Sequence, residues 1–340
     1  QQPPPSHPGG DMAFYILRRV GIMIPTLLAV SIISFIVIQL PPGDYLTTYA
    51  MQLRQQGDAV DEAELAALRD RYGLGMPVYA QYWKWISGII LRGDWGQSME
   101  WRKPVKELIW ERLALTMVLS ASSLFVSWFI AIPIGVYSAT HQYSIPDYLM
   151  SAISFIGVGT PGFLVALVVM WLAMTKLGLN VGGLFSQSFI LAPWSWAKVV
   201  DLLKHVWIPL LILALGSTAG SIRTTRANLL DELSKPYVTT ARAKGVKESS
   251  LMWKYPVRVA MNPFFSTVGW SLASLISGTT LVSMVLSLQT TGPMMLRALL
   301  SQDMYLAGSF LMLLSALTVI GTLLSDIILA VVDPRIRLTG

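Results

Sequence analysis

The sequence predicts an all-α protein that crosses a membrane several times, with both termini on the cytoplasmic side. Three observations predict it. Hydrophobic residues make up 54% of the chain and charged residues only 13%, where a soluble domain carries about a quarter charged residues. The mean hydropathy is +0.56, and several apolar runs reach the ~20 residues needed to cross ~30 Å of hydrocarbon. The polar remainder is gathered between those runs, chiefly in 42–107 and 234–258.

Residues 1–12, opening QQPPPSHPGGD, are rich in Pro and Gly and read as a disordered polar tail, an upstream extension or a cloning remnant. Structure is expected from Ala13. Six spans are expected, at about 14–40, 113–140, 148–176, 206–222, 261–286 and 305–332. The first carries Arg18 and Arg19 near its start, is too long for a signal peptide and lacks a small-residue cleavage site, so it reads as an uncleaved anchor. Pro41-Pro42-Gly43 stops it. The polar segment 42–107 contains a helix-forming stretch at 61–72. It also contains an amphipathic run at 77–91, with Val78, Tyr82, Trp85, Ile86 and Ile89 near a 3.6-residue repeat. Tyr79, Trp83 and Trp85 suggest that this run lies at the membrane interface or packs on the outer ends of the spans. The second and third spans are joined by the short link 141–147 and form an antiparallel hairpin. A Gly-, Pro- and Trp-rich outer loop runs to about Lys204.

Between the fourth and fifth spans lies SKPYVTTARAKGVKESSLMWKYPVR, 234–258, which is polar, basic and helix-forming between greasy neighbours. From Arg223 to Arg258 there are eight basic and three acidic residues, which accounts for nearly all of the net charge of +6. Such a loop stays on the cytoplasmic side, as do Arg335 and Arg337 at the C-terminus. Ser234 is the expected N-cap and Pro236 suits the first turn. Gly245 is expected to end the helix in the left-handed conformation, with a second short helix following and ending before Pro256. Ala241 and Ala243 make the first helix thin, able to sit in a groove whose acidic rim would meet Arg242, Lys244 and Lys247. The segment is a protruding knob, a handle for a partner.

Within the spans, small and polar residues are the candidates for a pathway. Gly157, Gly159, Thr160 and Pro161 stand near mid-depth of the third span, where Pro161 frees a backbone carbonyl. Gly269, Ala273 and Ser277 follow at four-residue intervals in the fifth, with Ser274 and Gly278 beside them. Both sets suit close helix packing as well as a path. Asp326 is the clear ionisable residue within a span, placed to pair with Arg335 or Arg18 or to relay protons.

Several classes are excluded. There is no cysteine, hence no disulfide, thiolate or iron–sulfur chemistry. His7, His141 and His205 are dispersed and form no metal site, and no Ser–His pair is set for catalysis. Basic residues outside the knob are scattered, which argues against nucleic acid. No lysine sits in a G-x-x-x-x-G-K-[ST] context, so the chain lacks a Walker-type phosphate cradle.

YVTTARAKGV, 237–246, resembles the cytoplasmic coupling loop of ABC-transporter permeases, above all those of the dipeptide/oligopeptide-type branch of the binding-protein-dependent transport inner membrane component family. ILRRVGIMIPTLLAVSIISFIVIQLPPGD is similar to that family's first span, RYGLGMPVYAQYWKWISGIILRGDWGQS to the segment after it, and DIILAVVDPRIR to its C-terminal signature. The resemblance implies the type I ABC importer permease fold in a bacterial inner membrane. It implies two separate ATPase subunits that bind ATP and Mg, a second homologous permease, a periplasmic or lipid-anchored solute-binding protein, and no cofactor in this chain. It carries the docking role onto Tyr237, Val238, Thr240, Ala241, Arg242, Ala243, Lys244 and Gly245. The family usually has Glu-x-x-Phe-x-x-Pro-Gly-x-Gly after the fifth span. This chain has SMVLSLQTTGPMM, with Ser283, Leu286 and Thr290-Thr291-Gly292-Pro293 there, and the departure bears on the substrate. The expected function is a permease subunit forming half of a pathway for small peptides or a related solute. A self-sufficient secondary transporter is the alternative, and a membrane-embedded enzyme has no catalytic cluster to support it.

Overall fold

The computed structural model describes residues 8–40, 43, 45–56, 62–178, 181–190, 192–268, 271, 274 and 278–332. Helix α1 spans Pro8–Gln39. It begins ahead of Ala13, so 8–12 are helical instead of part of a disordered tail; Pro8 costs nothing in a first turn, where its missing N–H would have no partner. Helices α2 (Tyr45–Gln56), α3 (Glu62–Tyr72) and α4 (Val78–Arg92) occupy the polar segment that follows. Gly93, at φ +62°, closes α4 in the left-handed conformation. The α4 stripe packs on α1: Phe35 stacks on Trp85 at 5.8 Å and meets Tyr82 edge-on at 5.4 Å, while Ser31 Oγ and Tyr82 Oη share a 2.8 Å hydrogen bond. Trp85 is therefore core and not a membrane-interface anchor, whereas Tyr79 and Trp83 remain exposed.

Helix α5 (Val105–Thr140) has 36 residues and α9 (Trp196–Leu233) has 38. Both overrun the expected spans 113–140 and 206–222. At ~1.5 Å per residue each measures over ~50 Å, against ~30 Å of hydrocarbon. The overrun carries Lys106, Glu107, Glu111 and Arg112 on α5, and Lys198, Asp201, Lys204, Arg223, Arg226 and Glu232 on α9. A hydropathy reading stops at such charges; backbone hydrogen bonding does not. Along α5, Ser123 and Ser127 are buried while Phe125 and Phe129 are exposed. This inverts the soluble pattern and presents the apolar side chains to lipid.

The expected third span is not one helix. Helices α6 (Ile145–Gly159) and α7 (Gly162–Leu177) meet at a 104° bend. Pro161 confines the preceding residue to extended backbone, and Thr160 lies at φ −97°, ψ 123°. Thr160 Oγ1 donates to the Ile156 carbonyl at 2.7 Å, taking up an acceptor the break would leave bare. After the four-residue α8 (Gln187–Ile190) and α9 come α10 (Pro236–Ala243), α11 (Glu248–Lys254), α12 (Pro256–Ala260) and α13 (Asn262–Ser266). Of the expected span 261–286, the described helices are α13 and α14 (Thr280–Val285). The segment 290–293 opens a helix, α15 (Thr291–Leu300), with Thr290 as its N-cap, in place of the expected turn. Helix α16 (Met304–Val332) closes the described chain. Arg335 and Arg337 lie outside the described residues.

The described residues of 1–116 and 290–319 form one compact unit, and those of 117–289 and 320–340 a second. In the first, the α1–α4 contact continues to Asp303, which is fully buried. Its Oδ2 accepts from Ser98 Oγ at 2.5 Å, Met99 N at 2.9 Å and Glu100 N at 3.1 Å, and its Oδ1 accepts from Leu306 N at 3.2 Å. In the second, α9 is the spine. A Cβ on Gly135 of α5 would lie 2.5 Å from Thr225 Cβ, and one on Gly157 of α6 would lie 2.9 Å from Ala219 Cβ. The absent side chains are what let these helices touch.

Candidate coupling knob and pathway face

The knob grows from the end of α9. Ser234 is not the N-cap of α10; it closes α9 and its Oγ donates to the Asp231 carbonyl at 2.7 Å. Lys235 takes the N-cap position, with Pro236 as the first helical residue. The buried Glu232 carboxylate staples the junction, accepting Tyr237 Oη at 2.6 Å and Lys235 Nζ. Burial and this carboxylate together push the Tyr237 phenol well above its usual range. Helix α10 ends at Gly245, φ +75°, where Gly245 N and Val246 N donate to the Arg242 and Ala241 carbonyls at 3.0 and 3.3 Å. Helix α11 returns, with Val238 and Leu251 fully buried beneath the pair. Below them, α12 joins a core of Ala139, Leu229, Val257, Ala260, Met261 and Phe264, against which Trp128 packs edge-on at 5.7 Å from Phe264.

Two expectations change here. Val238 lies inside this chain, so its side chain is the foot of the knob and cannot be part of a docking face. Arg242 is not free for an acidic rim: it forks onto Glu248 at 3.1 and 2.6 Å and holds that carboxyl below its usual range. Tyr237, Thr240, Ala243, Lys244 and Gly245 are exposed and Ala241 is half-buried. Tyr237, Thr240, Ala241 and Lys244 edge a cleft of about 920 Å³ that Lys254, Tyr255 and Arg258 complete.

The pathway candidates divide. Gly157 is spent on the contact with Ala219, while Gly159 and Pro161 are exposed at the bend and a Cβ on Gly159 would meet nothing within 4 Å. Gly269, Ala273 and Ser277 lie outside the described residues. Gly278 is exposed, and Ser274, also exposed, borders a cavity of about 350 Å³. Sequence reading missed the opposite wall of that cavity, made by Gly216, Ser217, Gly220, Ser221 and Thr224 of α9, with Trp128 and Phe264 at one end. A Cβ on either Gly216 or Gly220 would meet nothing within 4 Å. The signal was present as Gly-xxx-Gly interleaved with hydroxyls, but it lay in a run read only as a span. One level below, Arg226 forks onto Asp147 at 2.9 and 3.0 Å, and Asp147 also accepts Tyr143 N at 3.0 Å and Ser138 Oγ. This buried carboxylate ties the link between α5 and α6 to α9.

Comparison with known proteins places the chain. A profile described as "Binding-protein-dependent transport system inner membrane component" matches residues 131–338, and one for the N-terminal part of such membrane components matches 12–120. An oligopeptide transport system permease protein of Bacillus subtilis is 34% identical, covering 96% of this chain and all of that protein. A glutathione transport system permease protein of Salmonella typhimurium is 29% identical over 96% of this chain and 99% of its own length. A dipeptide transport system permease protein of Alkalihalophilus pseudofirmus is 28% identical over 96% and 100%. The family's dependence on a binding protein sets aside a self-sufficient secondary transporter. The chain belongs to the binding-protein-dependent transport system inner membrane component family, and is a multi-pass permease subunit of the inner membrane.

Proposed function

We propose that this chain forms half of the translocation pathway of an ABC importer for small peptides, beside a second, homologous permease, and takes its driving force from separate ATPase subunits that bind ATP and Mg. The observation that carries the reading is the end-to-end similarity to permeases named for oligopeptide and dipeptide transport. The knob supports the coupling part. Helix α10 is stapled to α9 through Glu232, and α9 runs on from the knob into the hydroxyl-lined cavity, so a push on α10 reaches the cavity wall along one continuous helix. The docking face is Tyr237, Thr240, Ala241, Ala243, Lys244 and Gly245, with Val238 beneath it and Arg242 bracing it. The walls of the path are Ser274, Gly278, the bend at Gly159–Thr160–Pro161 and the small face of α9; Gly157 serves the contact with α9, and Gly269, Ala273 and Ser277, outside the described residues, are assigned to the path from the sequence alone. A path lined by hydroxyls and glycines suits a solute rich in amides, because hydroxyls both donate and accept.

Gly245→Val tests the coupling. A Cβ there meets nothing of this chain within 4 Å, so within the permease the substitution acts through backbone conformation. Forcing a β-branched residue to φ +75° costs about 1–2 kcal/mol. In the reconstituted importer, we expect binding-protein-stimulated ATP hydrolysis to fall severalfold while basal hydrolysis by the ATPases persists. Unchanged stimulation removes the coupling assignment.

A further inference from the structure

The small face of α9 does not stop at the first cavity. Gly220 and Thr224 also border a second one, of about 600 Å³, in the groove between α6 and α9. Its other walls include Ser151 and Phe155 of α6 and Arg223 of α9. The Arg223 guanidinium lies over the Phe155 ring, 4.5 Å from its centroid, and no carboxylate among the described residues pairs with it. Arg226, one turn on, provides the internal comparison: its charge is taken up by the fork onto Asp147. Two arginines thus stand side by side on one helix, one spent and one available.

We infer that Arg223 is a specificity-determining residue at the inner end of the pathway, and that it receives the carboxylate of the passing solute. Stacking on an aromatic ring engages the face of the guanidinium and leaves its N–H edge uncommitted. That edge matches a carboxylate in a bidentate fork. Ser151 and Thr224 add hydroxyl donors in the same cavity. The inference rests on the peptide reading and refines it: the ligand is the free C-terminal carboxylate. A lipid phosphate has the same oxyanion chemistry and is the competing source.

The test crosses residue and ligand. The complete importer, with wild-type Arg223, Arg223→Gln or Arg223→Lys, is reconstituted with its binding protein, and uptake of trialanine is compared with uptake of its C-terminal amide. Any preference of the binding protein enters each permease's ratio alike and cancels when the ratio of a variant is divided by that of wild type. We expect Arg223→Gln to lower the free-acid-to-amide ratio on the order of tenfold, and Arg223→Lys to keep most of it. An unchanged ratio in Arg223→Gln, with trialanine still carried by wild type, overturns the role of Arg223 and leaves the peptide reading standing. If wild type carries neither peptide, the peptide reading itself fails and this inference with it. Repeating the series in vesicles of phosphatidylcholine alone and with phosphatidylglycerol separates the sources: a ratio that falls only where phosphatidylglycerol is present assigns Arg223 to lipid and overturns the proposal.

Discussion

Asp303 shows how much one side chain organises. Burial pushes its carboxyl up, against four hydrogen bonds that pull it down. Removing it in Asp303→Ala leaves Ser98 Oγ, Met99 N and Glu100 N without their acceptor, so we expect a loss of about 3 kcal/mol, read as a lower thermal midpoint in detergent. Asp303→Asn, which keeps part of the acceptor set, should lose less. Gly135 makes the same point by absence: Gly135→Ala should cost about 1–3 kcal/mol, because Thr225 cannot yield the needed space without moving α9. Neither role could be read from the sequence. Asp303 sits beside an apolar run and finds partners some two hundred positions away, and a glycine in a span looks alike whether it makes a contact or lines a cavity. Gly245 was legible because its function is local: a helix that must stop needs a residue that tolerates positive φ. The N-cap was misplaced by one residue because Ser234 and Lys235 compete for one junction, and the staple on Glu232 decides it.

At the scale of elements, the apolar cores of α1, α5, α9 and α16 were visible as long runs, since burial in lipid demands about twenty apolar residues whatever the partner. Their ends were not visible: α5 and α9 continue as helices into charged segments, where hydropathy carries no signal. The α6–α7 bend was half visible. Pro161 announced a freed carbonyl, but the 104° turn depends on Thr160 adopting extended backbone. Two elements invite direct tests. The Asp147–Arg226 fork ties the α5–α6 link to α9, so we expect Asp147→Asn to lower the ratio of solute carried to ATP hydrolysed, and the exchanged pair Asp147→Arg with Arg226→Asp to recover part of it; equal ratios in wild type and Asp147→Asn argue against the link. In the knob, Arg242 holds Glu248 below its ordinary range. The sign follows from that depression: the pair's contribution is complete above the ordinary glutamate pKa and is lost as pH falls through the lowered one. Both side chains are more than half exposed, so the effect belongs to local opening and not to global stability. Amide exchange in α10 and α11, corrected for intrinsic rates, should therefore be level from pH 8 to pH 5 and rise below it.

At the scale of the whole molecule, each unit buries small and polar residues between helices that expose large apolar side chains, and a charged knob stands at the end of α9, the longest described helix. The composition made that class plain, and the knob's sequence carried the family. The wall of the path was less legible, because small residues serve close packing and open space equally; Gly157 and Gly220 differ only in what stands opposite. The central claim is mechanical: the α10–α11 knob is where a second protein pushes. The absence of native cysteine allows a direct test with a single introduced thiol. Ala241→Cys, on the rim of the basic cleft, is reacted with a membrane-impermeant maleimide in inside-out vesicles, with the ATPase subunits bound and after they are stripped. Strong labelling of stripped inside-out vesicles, and protection of at least several-fold when the ATPases are rebound, is the expected result. Labelling only in right-side-out vesicles, or labelling that the ATPases leave unchanged, contradicts it.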